Sequence, residues 1–231
     1  MDVRAGLSLS RAAKALAGLA FLAGLVGFAQ TASATCVSST PIVPPAQGAG
    51  TPCAITAGAP TLDIVFAYVS AGDKDQLTLN GIVLFDNKTS HIGDEIQLTG
   101  LTAGDVIPFI FKNVTTGQSF KAGTPGSDGI QHIAVQSTYS DYYSGPPRKP
   151  LTQADLGASF AVMNSIAPIA DWTFVGMEDL TKSEGSDFDF NDLIFGFLNV
   201  TPVVVPEPVS MAILGTGLVG LGIVRRRRGR S

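Results

Sequence analysis

The chain has 231 residues and carries 15 basic and 19 acidic side chains, which give a formal net charge of −4 at pH 7. Eight of the basic residues lie in the two terminal segments, so the part of the chain between them is far more acidic than this total. An acidic chain is repelled by nucleic acid and by anionic lipid and attracts cations, which excludes nucleic-acid binding as a function class.

Residues 1–34 have the pattern of a secretory signal peptide. Three basic residues precede an apolar run at 15–29, and the segment ends in Ala-Ser-Ala at 32–34. A basic start, a short apolar core and small residues at the −3 and −1 positions are typical of substrates of signal peptidase. The apolar run is shorter than the ~20 residues that a membrane-spanning helix needs. We therefore expect cleavage between Ala34 and Thr35.

Residues 35–60 form a segment rich in proline and glycine that holds both cysteines of the chain, Cys36 and Cys53. An exported chain enters an oxidising compartment, in which neighbouring cysteines form disulfides. In the loop-closure model, a bridge across a loop of this size contributes about 3 kcal/mol to stability. We expect a disulfide between Cys36 and Cys53, and two free thiols are the alternative.

Residues 61–200 show the hydrophobic patterning of β-strands. Short runs rich in β-branched and aromatic residues alternate with Gly, Asp, Asn, Ser and Pro. The predicted strands are residues 62–69, 76–79, 82–85, 95–101, 106–113, 130–137, 171–177 and 192–200. Asn80-Gly81, between two of these runs, is a signal for a two-residue hairpin turn.

Only residues 151–167 have a pattern compatible with a helix, with Thr152 or Asp155 as its N-terminal cap. Many short strands separated by turn residues are typical of two packed antiparallel sheets. We therefore predict an all-β domain, specifically an antiparallel β-sandwich with jelly-roll-like connections.

The stretch GMEDLTKSEGSDFDFNDLIFGF, at residues 176–197, crowds carboxylates around one loop. Two of them follow the predicted strand 171–177, and the others come before or at the start of the strand 192–200. Pairing of these two strands would bring all of the acids together. Crowded carboxylates repel one another. Water, a bound cation or a substrate therefore has to reduce this repulsion.

The DFDFND run within this stretch alternates polar and aromatic side chains. An extended backbone would place Asp187, Asp189 and Asn191 on one side and both phenylalanines in the core on the other. Clustered carboxylate and amide oxygens suit Ca²⁺, which takes about 6–8 oxygen ligands at about 2.3–2.6 Å. We therefore expect a calcium site with the ligands Glu178, Asp179, Asp187, Asp189, Asn191 and Asp192.

The acidic stretch does not form an EF-hand. Asp192 stands where that loop requires glycine, and Leu198 stands where it requires a bidentate glutamate. A solvated acidic loop without any ion is the alternative to a calcium site. The two phenylalanines of the run argue against it, because buried rings would keep the acids from moving apart.

Two further functions remain as alternatives. A glycoside hydrolase would use Glu178 with Asp187 or Asp189 as its pair of carboxylates, but crowded acids lack the apolar isolation that raises the pKa of one of them. We therefore expect no enzyme. A carbohydrate-binding module would use the tyrosine rings of the loop 137–147, which otherwise cover the ends of strands.

The acidic stretch resembles the signature of a domain of unknown function found in exported bacterial proteins. The matching segments are GMEDL and GSDFDFNDLIF, with Met177 in place of the usual aromatic residue. AGDVIPFIFKN and DGIQHIAV resemble the earlier strands of the family, so the resemblance covers residues 103–199. It implies that the six candidate metal ligands are functional positions, in a family for which enzymatic and ion-binding roles have both been suggested.

The end of the chain has three parts. A linker at 201–208 contains Pro206-Glu207-Pro208, an uncharged apolar stretch follows at 209–224, and an arginine cluster occupies 225–231. Such a basic cluster stays on the cytoplasmic side of a membrane. A transmembrane helix of the apolar stretch would be only about 24 Å long, which is short for a permanent anchor.

These three parts, in this order, resemble the PEP-CTERM sorting signal of Gram-negative bacteria over residues 205–231. The resemblance implies transient anchoring in the inner membrane and cleavage near Pro206-Glu207-Pro208 by an exosortase-type protease-transpeptidase. It also implies an association with exopolysaccharide and biofilm. We therefore expect an exported, non-enzymatic and calcium-binding protein of the cell surface or extracellular matrix.

Overall fold

The computed structural model of the chain describes residues 37–38, 41–42, 53–144 and 148–204. All of these residues belong to one compact unit. The predicted signal peptide, sorting motif, apolar stretch and basic tail lie outside the described residues. Among the residues that are described, no helix is both long and apolar enough to cross a membrane.

The described residues form eleven β-strands and two short α-helices. The strands are β1 (Cys53–Ala57), β2 (Thr61–Val69), β3 (Asp75–Leu79), β4 (Ile82–Asp86), β5 (Glu95–Thr99), β6 (Phe109–Asn113), β7 (Ser119–Lys121), β8 (Ile133–Gln136), β9 (Thr173–Met177), β10 (Leu193–Leu198) and β11 (Val200–Val204). The helices are α1 (Gln153–Leu156) and α2 (Ala158–Ile166). Every pairing between these strands is antiparallel, so the predicted all-β, antiparallel class is confirmed.

The strands form three sheets. A five-stranded sheet has the order β5-β2-β10-β9-β8, a four-stranded sheet has the order β4-β3-β6-β7, and β1 and β11 form a two-stranded ribbon. Because β9 and β10 are neighbours in the five-stranded sheet, the loop that joins them is fixed at both ends by one hydrogen-bonded ladder. This loop carries all of the acids of the stretch singled out above.

Each of the eight predicted strands is present, although β6 and β8 begin later than predicted, at Phe109 and Ile133. The sequence patterns missed β1, β7 and β11. β7 has only three residues and lies at the edge of its sheet, and β11 has no fully buried residue. β7 and β11 therefore bury too few side chains to show a clear alternation, whereas β1 shows none because it is buried at four of its five positions.

The predicted hairpin turn joins β3 and β4. Asn80 and Gly81 have φ angles of 50° and 82°, and Leu79 pairs with Ile82 on either side of them. Positive φ at both central residues matches a type I′ turn, whose twist agrees with that of the flanking strands. The hairpin signal in the sequence is therefore confirmed.

The predicted helical region forms two helices rather than one. Gly157 separates them with a φ angle of 53°. Thr152 and Asp155 form a capping box at the start of α1, in which Oδ2 of Asp155 accepts hydrogen bonds from the backbone N–H of Thr152 at 2.7 Å and from its hydroxyl at 2.6 Å. Both cap candidates are therefore used together.

One apolar cluster contains buried residues of both larger sheets. The ring of Phe195 in β10 lies 5.3 Å from that of Phe85 in β4, and the ring of Phe197 lies 5.2 Å from that of Phe109 in β6. Each fully buried ring of this kind stabilises the fold by roughly 1.5–3 kcal/mol. One face of the five-stranded sheet is therefore buried against residues of the four-stranded sheet.

A second apolar cluster covers the opposite face of the five-stranded sheet. Met163 of α2 and Tyr142 belong to it, and both are fully buried. Phe188 and Phe190, from the loop between β9 and β10, are fully buried in the same cluster. The prediction that these two phenylalanines anchor the acidic run in the core is confirmed.

Cys53, the first residue of β1, is fully buried and disulfide-bonded. No cysteine among the described residues is free. Cys36, the partner that the sequence predicts for it, lies outside the described part of the chain.

Gly176, in β9, has no room for a side chain. A Cβ at this position would overlap the carbonyl oxygen of Phe190 and the ring of Tyr142. We expect Gly176→Ala to destabilise the fold by about 1–3 kcal/mol, the usual cost of overpacking, and to lower the melting temperature by several degrees. Gly72→Ala is the control, because a Cβ at Gly72 meets no atom within 4 Å. Equal melting temperatures for the two variants would contradict this packing.

Candidate metal centre

The acidic centre is the group of carboxylates around the loop between β9 and β10: Glu178, Asp179, Asp187, Asp189 and Asp192. Met177, the last residue of β9, pairs with Leu193, the first residue of β10. Glu178 and Asp179 directly follow Met177 and therefore lie beside the start of β10. The backbone N–H of Asp179 donates to Oδ2 of Asp192 at 2.8 Å. The strand pairing thus brings the two ends of the acidic stretch together, as the sequence predicts.

The backbone of the DFDFND run is not extended, and this part of the prediction is wrong. Phe188 and Phe190 have φ angles of 52° and 57°, in the left-handed region that costs a residue with a side chain roughly 1–2 kcal/mol. Both rings are fully buried, so their packing offsets the strain. The chain turns at each phenylalanine, which brings the backbone N–H of Asp189 within 3.2 Å of Glu178.

Glu178 occupies the middle of the acidic centre and is only 2% exposed. Its Oε2 accepts hydrogen bonds from the backbone N–H groups of Asp189 at 3.2 Å and Phe190 at 3.5 Å. None of the ion pairs among the described residues includes Glu178. Backbone N–H groups and the side chain of Ser186, rather than a basic side chain, therefore hold this carboxyl group in place.

Asn191 orients Asp189. Its Nδ2 donates to Oδ2 of Asp189 at 2.6 Å and to the carbonyl oxygen of Tyr143 at 2.5 Å. Its backbone N–H donates to Oδ1 of Asp189 at 3.1 Å. The amide nitrogen of Asn191 thus positions a carboxylate of the acidic centre, and the ligand role of its oxygen stays a prediction.

The carboxylates of the acidic centre come together in two sets of three. In the inner set, oxygens of Glu178, Asp179 and Asp192 all lie within 4.8 Å of one another, and in the outer set those of Glu178, Asp187 and Asp189 do so. Two oxygens on opposite sides of one Ca²⁺ are about 4.6–5.2 Å apart, twice the metal–oxygen distance. Each set is therefore compact enough for its oxygens to contact one hard cation.

The outer set reaches solvent through Asp187, whose side chain is 50% exposed. Nη2 of Arg148 lies 3.1 Å from Oδ2 of Asp187. An exposed ion pair of this kind contributes about 1 kcal/mol at most. A cation that enters the outer set would compete with Arg148 for this carboxylate.

Burial raises the pKa of several carboxyl groups in the acidic centre. The pKa of Asp192 rises to about 10, that of Glu178 to about 8 and that of Asp189 to about 6, and the charges of neighbouring carboxylates add to the effect of burial. Burial raises the pKa of Asp179 as well. In the absence of a cation, protons therefore neutralise part of the centre at pH 7. A cation that binds there has to displace them.

Two further carboxylates, which the sequence analysis did not include, adjoin the acidic centre. Asp75, the first residue of β3, is fully buried against Asp179, and burial raises its pKa to about 8. The charge of Asp73 acts on both of these groups. Nδ2 of Asn113 donates to Oδ2 of Asp73 at 2.9 Å and to the carbonyl oxygen of Asp179 at 3.2 Å. The Asp-Lys-Asp pattern ahead of β3 was the only local signal for these residues.

The tyrosines of the loop 137–147 do not form an exposed sugar-stacking set. Tyr142 is fully buried, and its hydroxyl donates to the carbonyl oxygens of Ala134 at 2.8 Å and Phe174 at 3.1 Å. The ring of Tyr139 packs edge-on against that of Phe174, with centroids 5.6 Å apart. These two rings cover the sheet, which is the alternative that the sequence left open.

We expect the metal-free protein to lose stability as the pH rises from about 5 to about 8. Glu178, Asp75 and Asp189 have folded pKa values of about 8, 8 and 6, against about 4 in the unfolded chain. The folded state then holds protons that the unfolded state has released, so the free energy of unfolding falls as the pH rises through this window. Urea denaturation in EDTA at several pH values measures the slope.

Glu178→Gln should make the free energy of unfolding fall less steeply with pH, because it removes one of the carboxyl groups whose pKa is raised in the folded state. A free energy of unfolding that increases with pH in the parent protein would contradict the raised pKa values.

A protein-family model described as the PEP-CTERM protein-sorting motif matches residues 204–228 of the chain. No curated protein and no solved structure matches it. The resemblance of residues 103–199 to a domain of unknown function stays a prediction. The C-terminal resemblance is confirmed, and the chain carries a PEP-CTERM protein-sorting motif, which implies an exported protein that an exosortase-type enzyme processes.

Proposed function

We propose that the protein is an exported component of the cell envelope or extracellular matrix whose acidic centre binds Ca²⁺. The observation that carries this proposal is the position of Glu178, a buried carboxylate shared by the inner and outer sets. Several carboxylates buried in one place are unfavourable unless protons or cations neutralise them. Extracellular calcium modules bind with Kd values of about 10⁻⁴–10⁻³ M, which suits an exported protein.

The ligand atoms favour a hard cation. Both sets consist of carboxylates, without histidine or cysteine, and such ligands suit Ca²⁺, Mg²⁺ or Mn²⁺ better than zinc or copper. Mg²⁺ demands near-octahedral geometry at about 2.0–2.1 Å, whereas Ca²⁺ accepts irregular sets at about 2.3–2.6 Å. The irregular backbone of the loop that carries these carboxylates supports the more tolerant geometry of Ca²⁺.

The role that we infer for the ion is structural. It would neutralise the repulsion between the end of β9, the start of β10 and the loop that joins them. We further infer that the two larger sheets form a β-sandwich with jelly-roll-like connections, an arrangement that their common apolar cluster supports. We also infer an association with exopolysaccharide, which is what the resemblance to the sorting signal implies.

The geometry favours a structural role over an enzymatic one. A general acid in a glycoside hydrolase has to reach the glycosidic oxygen directly. Glu178, which has a raised pKa, is only 2% exposed, so a substrate would contact it only after the loop opened. The buried Tyr142 and the half-buried Tyr139 and Tyr143 likewise give little support to a carbohydrate-binding surface.

We expect calcium to raise the melting temperature of the mature protein relative to EDTA. An ion that binds only the folded state stabilises it by RT ln(1 + [L]/Kd), which is roughly 0.5–1.5 kcal/mol at about 1 mM Ca²⁺ for the Kd range above. This free energy corresponds to a few degrees in a thermal melt.

Asp189→Asn should weaken the calcium response, because it removes one charge from the outer set at nearly constant volume. Asp171→Asn is the matched control, since Asp171 is exposed and outside both sets, and it should keep the full response. Superimposable melts of the parent in calcium and in EDTA would contradict the proposal, and a solvated acidic loop would take its place.

We also expect the exported protein to lose both terminal segments, through cleavage between Ala34 and Thr35 and near Pro206-Glu207-Pro208. Intact-mass measurement of the protein from a strain that carries the sorting protease checks both cuts. A chain that keeps Arg225–Arg230 in such a strain would contradict processing by the sorting enzyme. A chain that keeps residues 1–34 would contradict the signal peptide.

A further inference from the structure

The acidic centre extends beyond the five-stranded sheet that contains β9 and β10. Asp75 begins β3 in the four-stranded sheet, where it pairs with Asn113 of β6. Its side chain is fully buried, and its carboxyl group lies against that of Asp179. A carboxyl group of the four-stranded sheet therefore meets one from the loop that follows β9 of the five-stranded sheet.

One oxygen of Asp75 lacks an N–H or hydroxyl donor. Nδ2 of Asn87 donates to Oδ2 of Asp75 at 3.4 Å, and the backbone N–H of Asp75 donates to Oδ1 of Asn87 at 3.0 Å. Oδ1 of Asp75 is buried and receives no hydrogen bond from an N–H or hydroxyl group, and the carboxyl group of Asp179 lies within hydrogen-bonding distance of Asp75. Ionised carboxylates only accept hydrogen bonds. The carboxyl groups of Asp75 and Asp179 can therefore attract each other only when a proton or a cation is bound between them.

Basic side chains do not neutralise this pair of carboxyls. Lys88 is the cationic residue whose charge acts on Asp75, but its ammonium donates to the carbonyl oxygen of Gly72 at 2.9 Å. None of the ion pairs among the described residues includes Asp75 or Asp179. A buried charge that lacks a partner is strongly destabilising, so a bound cation at this position would stabilise the fold.

We propose that the inner set holds a second cation, with Asp179 and Asp192 as ligands from the loop between β9 and β10 and Asp75 as a ligand from the start of β3 in the four-stranded sheet. Its ligand is a hard divalent cation such as Ca²⁺, and the outer set holds a separate ion. Glu178, common to both sets, lies between the two ions. The inner ion links the two sheets. This inference rests on the proposed function, because both sites belong to the acidic centre.

The test is the number of Ca²⁺ ions bound per chain, measured by equilibrium dialysis of the exported, processed protein. We expect two ions for the parent. Asp75→Asn keeps the side-chain volume and an acceptor for Asn87 but removes the charge, so it should bind one ion. Asp189→Asn should lose the ion of the outer set and also bind one. The double variant should bind none.

Two further variants make the result independent of a folding defect at Asp75. Asp192→Asn alters the inner site from the loop between β9 and β10 and should also bind one ion. Asp171→Asn, exposed and outside both sets, should bind two ions like the parent.

The possible outcomes separate this inference from the proposed function. One ion bound by the parent, or two ions bound by Asp75→Asn with unchanged affinity, would overturn the second site and leave the proposed function intact. A parent protein that binds no calcium would overturn both.

Discussion

The crowding of carboxylates where β9 meets β10 is the constraint on which the rest of the centre depends. Strand pairing holds Glu178 and Asp179 beside Asp192, and the buried rings of two phenylalanines keep the loop from moving away. The side chains of Glu178 and Asp179 are only 2% and 4% exposed, so water cannot screen their repulsion well. Protons or cations have to neutralise it, and the charge state of the centre is therefore coupled to the stability of the fold.

The strained backbone and the crowded charges occupy the same short loop. Phe188 and Phe190 keep left-handed φ angles because the surrounding cluster fixes their rings, and the tight packing of Gly176 against Phe190 removes further freedom. Strain of this kind persists only where the surrounding structure over-determines it, and it is concentrated at functional sites. A preformed loop also lowers the entropic cost of binding an ion.

Features with a local signal could be predicted from the sequence, whereas those that depend on tertiary packing could not. Asn80-Gly81 between apolar runs specifies its turn directly, and the acids that flank β9 and β10 are close in the chain. Asp75 could not be assigned, because only the packing of the two larger sheets brings it to Asp179. The positive φ angles of Phe188 and Phe190 could not be predicted either, because alternating polar and aromatic residues fit both an extended strand and a chain with left-handed turns.

The most direct test of the central claim is a crystal structure of the mature protein grown in millimolar calcium, with anomalous diffraction data. We expect an anomalous peak at about 2.3–2.6 Å from carboxylate oxygens of Glu178 and Asp189. We also expect Arg148 to have moved away from Asp187. No anomalous peak in the acidic centre, with Arg148 still paired to Asp187 and the carboxyl groups sharing protons, would contradict the claim that a cation compensates these acids.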